Sequence, residues 1–558
     1  MSETPSDRVR PGPKPIDPDQ PFNYVVDRRK VVFGVGFGLL SAASIRHLDN
    51  GRRPVVTTSP RPTAPPEQNS AVAGESLINA SAEDDFSGPL ATEEPFDAPI
   101  LDASARLAPG QSADVVLTGG RIIDPDTGFD RVGNVALIGS TIVEISDQPI
   151  QAGRQVDASN LVISPGFIDV LSYEPNEYGE WWKIADGVTS NIGMHGLRFD
   201  AANFLSQWET TGVPINFGGA VHNSHIRQQL GFLPSDTADG SAIRQITAAI
   251  ETQVQDGFLG IHVQPEYAPG VSANEMLDMG RMAASLGVPL CVHARFSDNA
   301  VPGLQADAIR ELIDVADQTG CHVHAEHINS TGGTGRMADA LAELGAAIDG
   351  GLSMTACMYP YEFWATYLQT SRFDDWQNKF GLSFEDLQVA GTNERLTAET
   401  YEQAYESNAL TAAYAISDTD VNLAIQAPFM MIGSDAILEP PHNNHPRSTG
   451  AYSRTIGEYS RDRGLISLHQ ALAMMTIRPA EFLQISTPQM ATKGRMQIGA
   501  DADITVFDPA TIIDRSTLEN PAQESSGVHY VFVNGTEVRN PDGNVETARP
   551  GVAITSVT

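Results

Sequence analysis

From residue 164 to residue 480, short apolar runs alternate with stretches in which apolar side chains recur at the helical period. Examples are the runs PLCVHARF at 289–296, CHVHAEHI at 321–328 and FMMIGSDA at 429–436, and the helical stretches 274–286, 304–318 and 336–346. This alternation predicts an α/β fold in which helices wind a parallel sheet, and eight such units close a (β/α)8 TIM barrel. In that fold the active site lies at the carboxyl ends of the strands.

Sequence rich in β-forming residues flanks this region on both sides. ADVVLTGGRIID at 113–124 and NVALIGSTIVEI at 134–145 precede it, and ADITVFDP at 502–509 and VHYVFVNGTEV at 528–538 follow it. Short β-rich runs between Gly-Gly, Asp-Pro and Gly-Ser turns are typical of hairpins. We therefore expect residues 111–163 and 481–558 to form one small β-sandwich, built from both ends of the chain, beside a barrel at 164–480.

The first 110 residues differ in composition from the rest. Arg28 and Arg29 precede a weakly apolar, glycine-rich run that is too short for a typical membrane span. Twin arginines before such a run resemble a Tat export signal, which predicts a signal region at 1–47 and a periplasmic or secreted protein. Anchoring to the membrane through an uncleaved N-terminal segment is the alternative. Residues 48–110, rich in Pro, Ser, Thr and acidic residues, predict a disordered linker.

Charge and cysteine content narrow the class of partner. The chain has 35 Lys and Arg against 70 Asp and Glu, a formal net charge of −35, whereas binding to nucleic acid or anionic lipid requires clustered positive charge. We expect a small-molecule amide substrate, no nucleic acid, and no stable membrane partner beyond export. The three cysteines form no CxxC or zinc pattern, so each is expected to be a small buried residue. The oligomeric state stays open.

Histidine and aspartate stand at the ends of three predicted strands. Because residues two apart in a strand share a face, His327 lies on one face of its strand, and His322 and His324 lie on the other. If the His327 face points into the barrel, His327 and His293 converge on one ion, and His322 and His324 lie under the helices. A single strand-end histidine is usually structural. Two of them, with Asp435 at a later strand end, favour a metal-dependent centre.

Eleven motifs are spread in order along residues 113–557. They are ADVVLTGGRIIDPDTG at 113–128, SPGFID at 164–169, DGVTS at 186–190, EYAPG at 266–270, VHAR at 292–295, EHINSTG at 326–332, YPY at 359–361, GSD at 433–435, HPRSTGAYSR at 445–454, TIRPAEFL at 476–483 and GADADITVFDPATIID, which ends at residue 514. Together they resemble the amidohydrolase superfamily and, within it, the N-acyl-D-amino-acid deacylases, or D-aminoacylases. The resemblance implies a distorted (β/α)8 barrel with a two-ended β-sandwich and a zinc-dependent centre that hydrolyses amide bonds.

Two departures from this family concern the metal ligands. Where the family continues its PGFID turn into a His-x-His pair, this chain has Leu171 and Tyr173, which cannot replace neutral imidazoles, so we expect one metal subsite to be lost. Where the family has a cysteine ligand, the corresponding stretch carries a histidine, for which a structural role is the alternative. The resemblance then implies one Zn2+ ion on three histidines: His195, His293 and His327.

The resemblance also implies roles for the remaining site residues. Asp435 matches an aspartate that takes a proton from water and returns it to the leaving amine. Arg447 and Tyr359 match contacts to a substrate carboxylate. Asn329 stands where the family has a lysine, and His222 lies in a segment that resembles a pocket-lining loop. Residues 362–427 match a family insertion and are expected to form a lid-like segment over the barrel mouth.

The function predicted from these patterns is a single-zinc amidohydrolase that cleaves a C–N amide bond, as in an N-acyl amino acid. A water activated by the zinc ion would attack, with Asp435 as general base and then acid. Two alternatives stay open. One is a catalytically inactive, amidohydrolase-like binding or scaffold protein that has lost activity together with His-x-His. The other is a cyclic-amide hydrolase of the same superfamily.

Overall fold

The computed structural model describes residues 96–298, 304–440 and 444–557. The predicted signal region and residues 48–95 of the predicted linker lie outside the described residues. Residues 96–110 pack against the folded part, because the amides of Leu101 and Asp102 both donate to the carbonyl of Ile498, at 2.9 and 3.0 Å. The folded part therefore begins before residue 111. No helix among the described residues has the length and apolar character needed to cross a bilayer.

The first five strands lie N-terminal to the barrel. They are β1 (Ala113–Asp124), β2 (Phe129–Ile138), β3 (Thr141–Ser146), β4 (Ala152–Asp157) and β5 (Val162–Pro165). β1 pairs antiparallel with β2 and parallel with both β4 and β5. β2 also pairs antiparallel with β3. The turn between β1 and β2 and the turn between β2 and β3 lie at the Asp-Pro and Gly-Ser sequences that predicted them.

Eight parallel strands then form one sheet whose order follows the chain. They are β6 (Phe167–Asp169), β7 (Val188–Leu197), β8 (Asn216–His222), β9 (Ile261–Val263), β10 (Leu290–Val292), β11 (Val323–Ala325), β12 (Met354–Met358) and β16 (Met430–Ile432). An insertion between β12 and β16 contains three further strands: β13 (Trp364–Tyr367), β14 (Leu387–Val389) and β15 (Leu410–Ala413). The ends of the first and eighth strands meet where the Asp435 amide donates to the Leu171 carbonyl at 2.6 Å. The sheet is a nearly closed barrel, and the predicted fold class is confirmed.

Helices connect the barrel strands and cover them. They are α1 (Gly179–Ala185), α2 (Ala201–Thr211), α3 (Asn223–Gln229), α4 (Gly240–Gln255), α5 (Ala273–Leu286), α6 (Leu304–Thr319), α7 (Met337–Asp349), α8 (Trp376–Phe380), α9 (Ala398–Glu406), α10 (Asp418–Ile425), α11 (Arg447–Arg454), α12 (Leu468–Met475) and α13 (Ile477–Gln484). A π-helical stretch, Thr455–Asp462, continues α11. The predicted helices at 274–286, 304–318 and 336–346 correspond to α5, α6 and α7.

Local sequence explains the bounds of these helices, as α4 and α5 illustrate. Asp239 begins α4 by accepting hydrogen bonds from the amides of Ser241 and Ala242, and Ser272 caps α5 in the same way. Gly287, at φ 66°, ends α5 in the left-handed conformation that glycine adopts without steric cost. The buried side chains of α4 recur at the helical period: Ile243, Ile246, Ile250 and Val254.

The C-terminal strands join the N-terminal ones in a single sheet. They are β17 (Ile504–Phe507), β18 (Val528–Val533), β19 (Thr536–Asn540) and β20 (Gly543–Asn544). β17 pairs antiparallel with β5, and this pairing completes a nine-stranded sheet from both ends of the chain. Apolar side chains from both ends, among them Leu117, Ile163, Ile504 and Phe532, share one core.

The insertion between β12 and β16 has its own small sheet. Its three strands are antiparallel in the order β13, β15, β14, and α8 and α9 pack with them. Aromatic rings fill its interior, with Trp364 lying 5.2 Å from Phe373 and 5.3 Å from Phe380 between ring centroids. This segment is the source of an arginine that reaches the barrel mouth.

Candidate metal centre and active site

Three histidines lie at the carboxyl ends of barrel strands. His195 lies near the end of β7, His293 follows β10 directly, and His327 lies two residues after β11. His327 has a φ of 27°, and Asp435, just after β16, has a φ of 50°. Positive φ is unfavourable for residues other than glycine, and such strain is concentrated at functional sites. The backbone thus bends sharply at two of the predicted site residues.

The imidazoles of His195, His293 and His327, which we call the three-histidine cluster, are close enough to share an ion. Nδ1 of His293 and Nε2 of His327 are 3.1 Å apart, and one nitrogen of each ring lies within 4.8 Å of the others. Tetrahedral zinc with Zn–N bonds of about 2.0–2.1 Å places its nitrogens about 3.3 Å apart. The three residues are at most 4% exposed. The residues predicted to bind metal therefore fit a zinc ion.

Two buried glutamates hold two of these rings. Glu326 accepts a hydrogen bond from Nδ1 of His195 at 2.7 Å, and Glu266 accepts one from Nε2 of His293 at 2.6 Å. Because an ionised carboxylate only accepts, these nitrogens carry the protons, and Nε2 of His195 and Nδ1 of His293 keep their lone pairs. Both glutamates stand in motifs of the sequence, EHINSTG and EYAPG, but sequence reasoning did not assign them to the site.

The predicted orientation of β11 is wrong. The rings of His322 and His324 lie 5.5 and 4.6 Å from that of Phe482, which belongs to the apolar cluster that also contains Cys291 of β10. His322 and His324 therefore face the barrel interior and do not lie under the helices. His327 reaches the site because β11 ends two residues earlier, and the turn at His327 breaks the alternation of faces. The three cysteines are buried and unpaired, as predicted.

Burial and charge set the protonation of the cluster. Burial lowers the pKa of His293 and takes the pKa of His327 well below its usual value. Burial acts in the same direction on His195, but the adjacent Glu326 outweighs it and raises the pKa of His195. Neutral imidazole is the form that binds metal. His293 and His327 are therefore neutral at pH 7 and suited to coordination.

Asp435 lies beside the three-histidine cluster. Its Oδ1 accepts a hydrogen bond from the Tyr173 hydroxyl at 3.1 Å and lies 3.7 Å from Nε2 of His195. Its Oδ2 pairs with Nη2 of Arg447 at 2.9 Å. Burial raises the pKa of this carboxyl, but Arg447 and the nearby histidines more than offset burial and lower the pKa to about 2. Asp435 is therefore ionised at neutral pH.

The resemblance places a His-x-His pair at the edge between the first and eighth barrel strands. In this chain an apolar contact and a buried ion pair occupy that edge. Leu171 packs so closely on Gly433 that a Cβ added to this glycine would lie 2.4 Å from Cβ of Leu171. The ammonium of Lys183 donates to Asp169 Oδ2 at 2.6 Å and to the Ser434 hydroxyl at 2.5 Å. We call this region the strand-one edge. Among the described residues, the groups able to hold a metal include no side chain from it.

Arg447 and Tyr359 lie together next to Asp435. The guanidinium carbon of Arg447 is 4.4 Å from the ring centroid of Tyr359. Among the described residues, Nε and Nη1 of Arg447 and the Tyr359 hydroxyl are buried without a hydrogen-bond partner. Burial raises the pKa of Tyr359 to about 12, so its hydroxyl remains a donor. Unpartnered buried donors are costly, and a carboxylate can accept from all of them.

The two other predicted pocket residues have different surroundings. Nδ2 of Asn329 donates to the carbonyl of Tyr359 at 2.9 Å, so this amide supports the backbone under Tyr359. His222, at the end of β8, lies edge-on to His262, with ring centroids 4.9 Å apart. Burial and the adjacent His262 hold the pKa of His222 well below its usual value. His222 therefore lies at the barrel mouth as a neutral ring packed on His262.

The insertion contributes one arginine that sequence reasoning missed. Arg372 pairs with Oε2 of Glu266 at 3.0 Å and donates to the carbonyl of Ser330. Its guanidinium carbon lies 4.2 Å from the ring centroid of Trp364. Because Glu266 also holds His293, Arg372 connects the inserted segment to the three-histidine cluster.

A parallel eight-stranded barrel with imidazoles and a carboxylate at its strand ends is the architecture of a metal-dependent hydrolase. The chain belongs to the amidohydrolase family, whose model matches residues 242–539. It is thus a hydrolase of carbon–nitrogen amide bonds, and the predicted family is confirmed.

Three known proteins show how far the likeness extends. An N-acyl-D-glutamate deacylase from Alcaligenes xylosoxydans xylosoxydans is 27% identical over 476 residues, which are 77% of this chain and 94% of that protein. An N-acyl-D-glutamate deacylase from Bordetella bronchiseptica, solved with zinc and a phosphonate inhibitor, has a TM-score of 0.69 at 24% identity and covers 80% of this chain and 100% of that one. A D-aminoacylase, solved in a study of one-metal activation and second-metal attenuation in its binuclear centre, has a TM-score of 0.70 at 23% identity, with the same coverage.

Proposed function

We propose that the protein is a single-zinc amidohydrolase that cleaves the amide bond of an N-acyl amino acid. The observation that carries the proposal is the convergence of the three-histidine cluster beside the Asp435–Arg447 pair, with nitrogens within 4.8 Å of one another. The named relatives support the substrate class, because each deacylates an N-acyl-D-amino acid by name.

His195 through Nε2, His293 through Nδ1 and His327 through Nε2 would hold the ion. Bound zinc supplies polarisation of the scissile carbonyl and activation of water at neutral pH. We propose one ion because Leu171 and Tyr173 offer no ligand comparable to imidazole. The one-metal activation of the related D-aminoacylase supports this stoichiometry.

Asp435 carries the proton between the two halves of the reaction. Its Oδ2 is held by Arg447, and its Oδ1 faces the cluster. We propose that Oδ1 accepts the proton of the attacking water and then delivers it to the leaving amine nitrogen. The hydrogen bond from Tyr173 to Oδ1 orients the carboxylate for this transfer.

Arg447 and Tyr359 would bind the carboxylate of the amino acid. The unpartnered Nε and Nη1 of Arg447 and the Tyr359 hydroxyl give this anion donors that remain after Nη2 has paired with Asp435. Asn329 replaces the family lysine and is turned towards the Tyr359 carbonyl. Arg447 therefore supplies the positive charge of this subsite. His222 and the insertion would shape the part of the pocket that receives the rest of the substrate.

The test uses the purified protein, freed of metal with a chelator and then reloaded with Zn2+. Amine release is measured from panels of N-acyl D- and L-amino acids, and ring opening is measured from a panel of cyclic amides. We expect hydrolysis with about one zinc per chain, as for a catalytic site with three protein ligands, and none after chelation. Zinc binding without hydrolysis in any panel would favour a binding or scaffold protein. Hydrolysis of cyclic amides alone would favour the cyclic-amide hydrolase, and full activity after complete metal removal would contradict the proposal.

We also propose export through residues 1–47, since Arg28 and Arg29 precede a weakly apolar run. Fusion of these residues to a reporter that folds in the cytoplasm tests this idea. The reporter should reach the periplasm, and the double change Arg28→Lys with Arg29→Lys should retain it in the cytoplasm. Export that does not depend on these arginines would contradict a Tat route.

A further inference from the structure

Glu326 differs from three other buried carboxylates at the barrel mouth. Each of these three pairs with a basic side chain: Asp435 with Arg447 at 2.9 Å, Glu266 with Arg372 at 3.0 Å and Asp169 with Lys183 at 2.6 Å. Glu326 is 1% exposed. Within the described residues its ion-pair partners are two imidazoles, and none is a lysine or an arginine.

Each oxygen of Glu326 accepts one imidazole N–H. Oε2 accepts from Nδ1 of His195 at 2.7 Å, and Oε1 accepts from Nδ1 of His262 at 3.2 Å. A histidine that binds metal is neutral, and neutral imidazoles satisfy the hydrogen-bonding capacity of the carboxylate but not its charge. A buried negative charge without a compensating cation is costly. A cation bound on the far side of one of these rings would compensate this charge.

On the side away from Glu326, the His195 ring faces the other two histidines of the three-histidine cluster. Nε2 of His195, opposite the nitrogen that Glu326 holds, lies 3.7 Å from Oδ1 of Asp435, and its ring centroid is 5.3 Å from that of His327. The resemblance places a cysteine ligand at residue 195. A thiolate brings its own negative charge to a metal ion, whereas an imidazole brings none. Glu326 places a negative charge one ring away from that position.

We propose that Glu326 is a positioning residue that fixes His195 in the tautomer whose Nε2 binds metal and raises the affinity of the three-histidine cluster for a divalent cation. The inference rests on the proposed function, because it takes the cluster as the metal site. His262 keeps the glutamate in place through the second oxygen, and its ring packs 4.6 Å from that of His195. Such outer carboxylates orient metal-binding histidines and increase their basicity.

The first test measures zinc affinity of the full chain by competition with a chromophoric chelator. Removing an outer hydrogen-bond partner of a ligand typically costs about 10–100-fold in metal affinity, and we expect that loss for Glu326→Gln. Glu326→Asp keeps the charge and should lose less. Glu275→Gln is the matched control, because Glu275 is equally buried but pairs with Arg227 at 2.5 Å and touches no histidine of the cluster. Its affinity should equal that of the unaltered protein.

The second test asks whether Glu326 compensates for the missing thiolate. His195→Cys supplies a charged ligand that has no second ring nitrogen for Glu326 to hold. Most of the affinity loss caused by Glu326→Gln should therefore disappear when it is combined with His195→Cys. In the Co2+-loaded protein, Glu326→Gln should shift the visible absorption bands, and Glu275→Gln should not.

The outcomes separate this inference from the proposed function. If the unaltered protein binds neither Zn2+ nor Co2+, both are overturned. If it binds zinc and Glu326→Gln binds equally well, or if the loss is as large beside His195→Cys, only the inference is overturned. Should Glu326→Gln fail to fold, Glu326→Asp decides, because its shorter side chain cannot hold both rings. An unchanged affinity and cobalt spectrum for that variant would overturn the proposal.

Discussion

The strand-one edge and the three-histidine cluster lie at the same barrel mouth. A fully buried carboxylate lies in the first and directly beside the second. At the strand-one edge the carboxylate is Asp169, and Lys183 neutralises it at 2.6 Å. Beside the cluster the carboxylate is Glu326, whose ion-pair partners within the described part of the chain are two imidazoles. A buried charge without a partner of opposite charge is costly. Lys183 thus neutralises the carboxylate of the strand-one edge, whereas under the proposed function a cation from solution compensates Glu326.

Under the proposed function, this difference explains how a barrel can lose one metal subsite and retain the other. Leu171 packs on Gly433, and the lysine ties the first strand to the eighth through Asp169 and Ser434. The ends of these strands therefore stay together without an ion. Among the described residues no lysine or arginine pairs with Glu326, and Nδ1 of His293 and Nε2 of His327 lie 3.1 Å apart.

The largest expected effect comes from removing a ligand of the cluster. His327→Ala should abolish stoichiometric zinc binding and lower kcat/KM by about a thousandfold or more, since a catalytic metal supplies several kcal/mol of transition-state stabilisation. Metal analysis and steady-state kinetics measure both. His324→Ala, which removes a buried histidine of the barrel interior, should retain zinc. Equal zinc loss in both variants would show that His327 acts through packing and not as a specific metal ligand.

Asp435→Asn should lower kcat by about 10²–10⁴-fold, the usual contribution of a general acid–base group, and should leave zinc bound. The pKa of Asp435 is about 2, so this carboxyl is already ionised at pH 5. Its protonation therefore should not limit the rate of the unaltered enzyme between pH 5 and pH 8, which a pH profile of kcat/KM measures. A kcat close to that of the unaltered enzyme would remove Asp435 from the mechanism.

Lys183→Met tests the strand-one edge. It leaves Asp169 buried and unpaired, which should lower the free energy of unfolding by about 3–5 kcal/mol, measured by urea denaturation of the zinc-loaded protein. The number of zinc ions per chain should not change. Loss of zinc with retained stability would show that the strand-one edge takes part in metal binding.

The smallest effect is expected from Tyr173→Phe. It removes one hydrogen bond to Oδ1 of Asp435, worth about 0.5–1.5 kcal/mol, so kcat should fall about two- to tenfold with zinc content unchanged. Paired measurements of kcat and KM are the readout. A loss as large as that of Asp435→Asn would mean that the Tyr173 hydroxyl itself takes part in proton transfer.

The barrel was predictable because strand and helix periods alternate over more than 300 residues of the chain. His293 and Asp435 were predictable as neighbours because both follow barrel strands. The face of β11 that points into the barrel was not predictable. The strand ends at Ala325, and the positive φ of His327 changes the direction of the chain after it. Alternation holds only while the strand continues.

The outer partners of the cluster were not predictable either. Glu326 and Arg372 are 131 and 79 positions from the histidines beside which they lie. No local periodicity links residues so far apart. Only the closure of the barrel and the path of the insertion bring them together.

X-ray absorption at the zinc edge of the purified, zinc-loaded protein tests the single-ion centre most directly. We expect one zinc per chain with imidazole nitrogens at about 2.0–2.1 Å and no second metal scatterer. A zinc–zinc signal at about 3.5–4 Å, the spacing of two-metal sites, or a zinc coordinated without imidazole, would contradict a centre built on His195, His293 and His327.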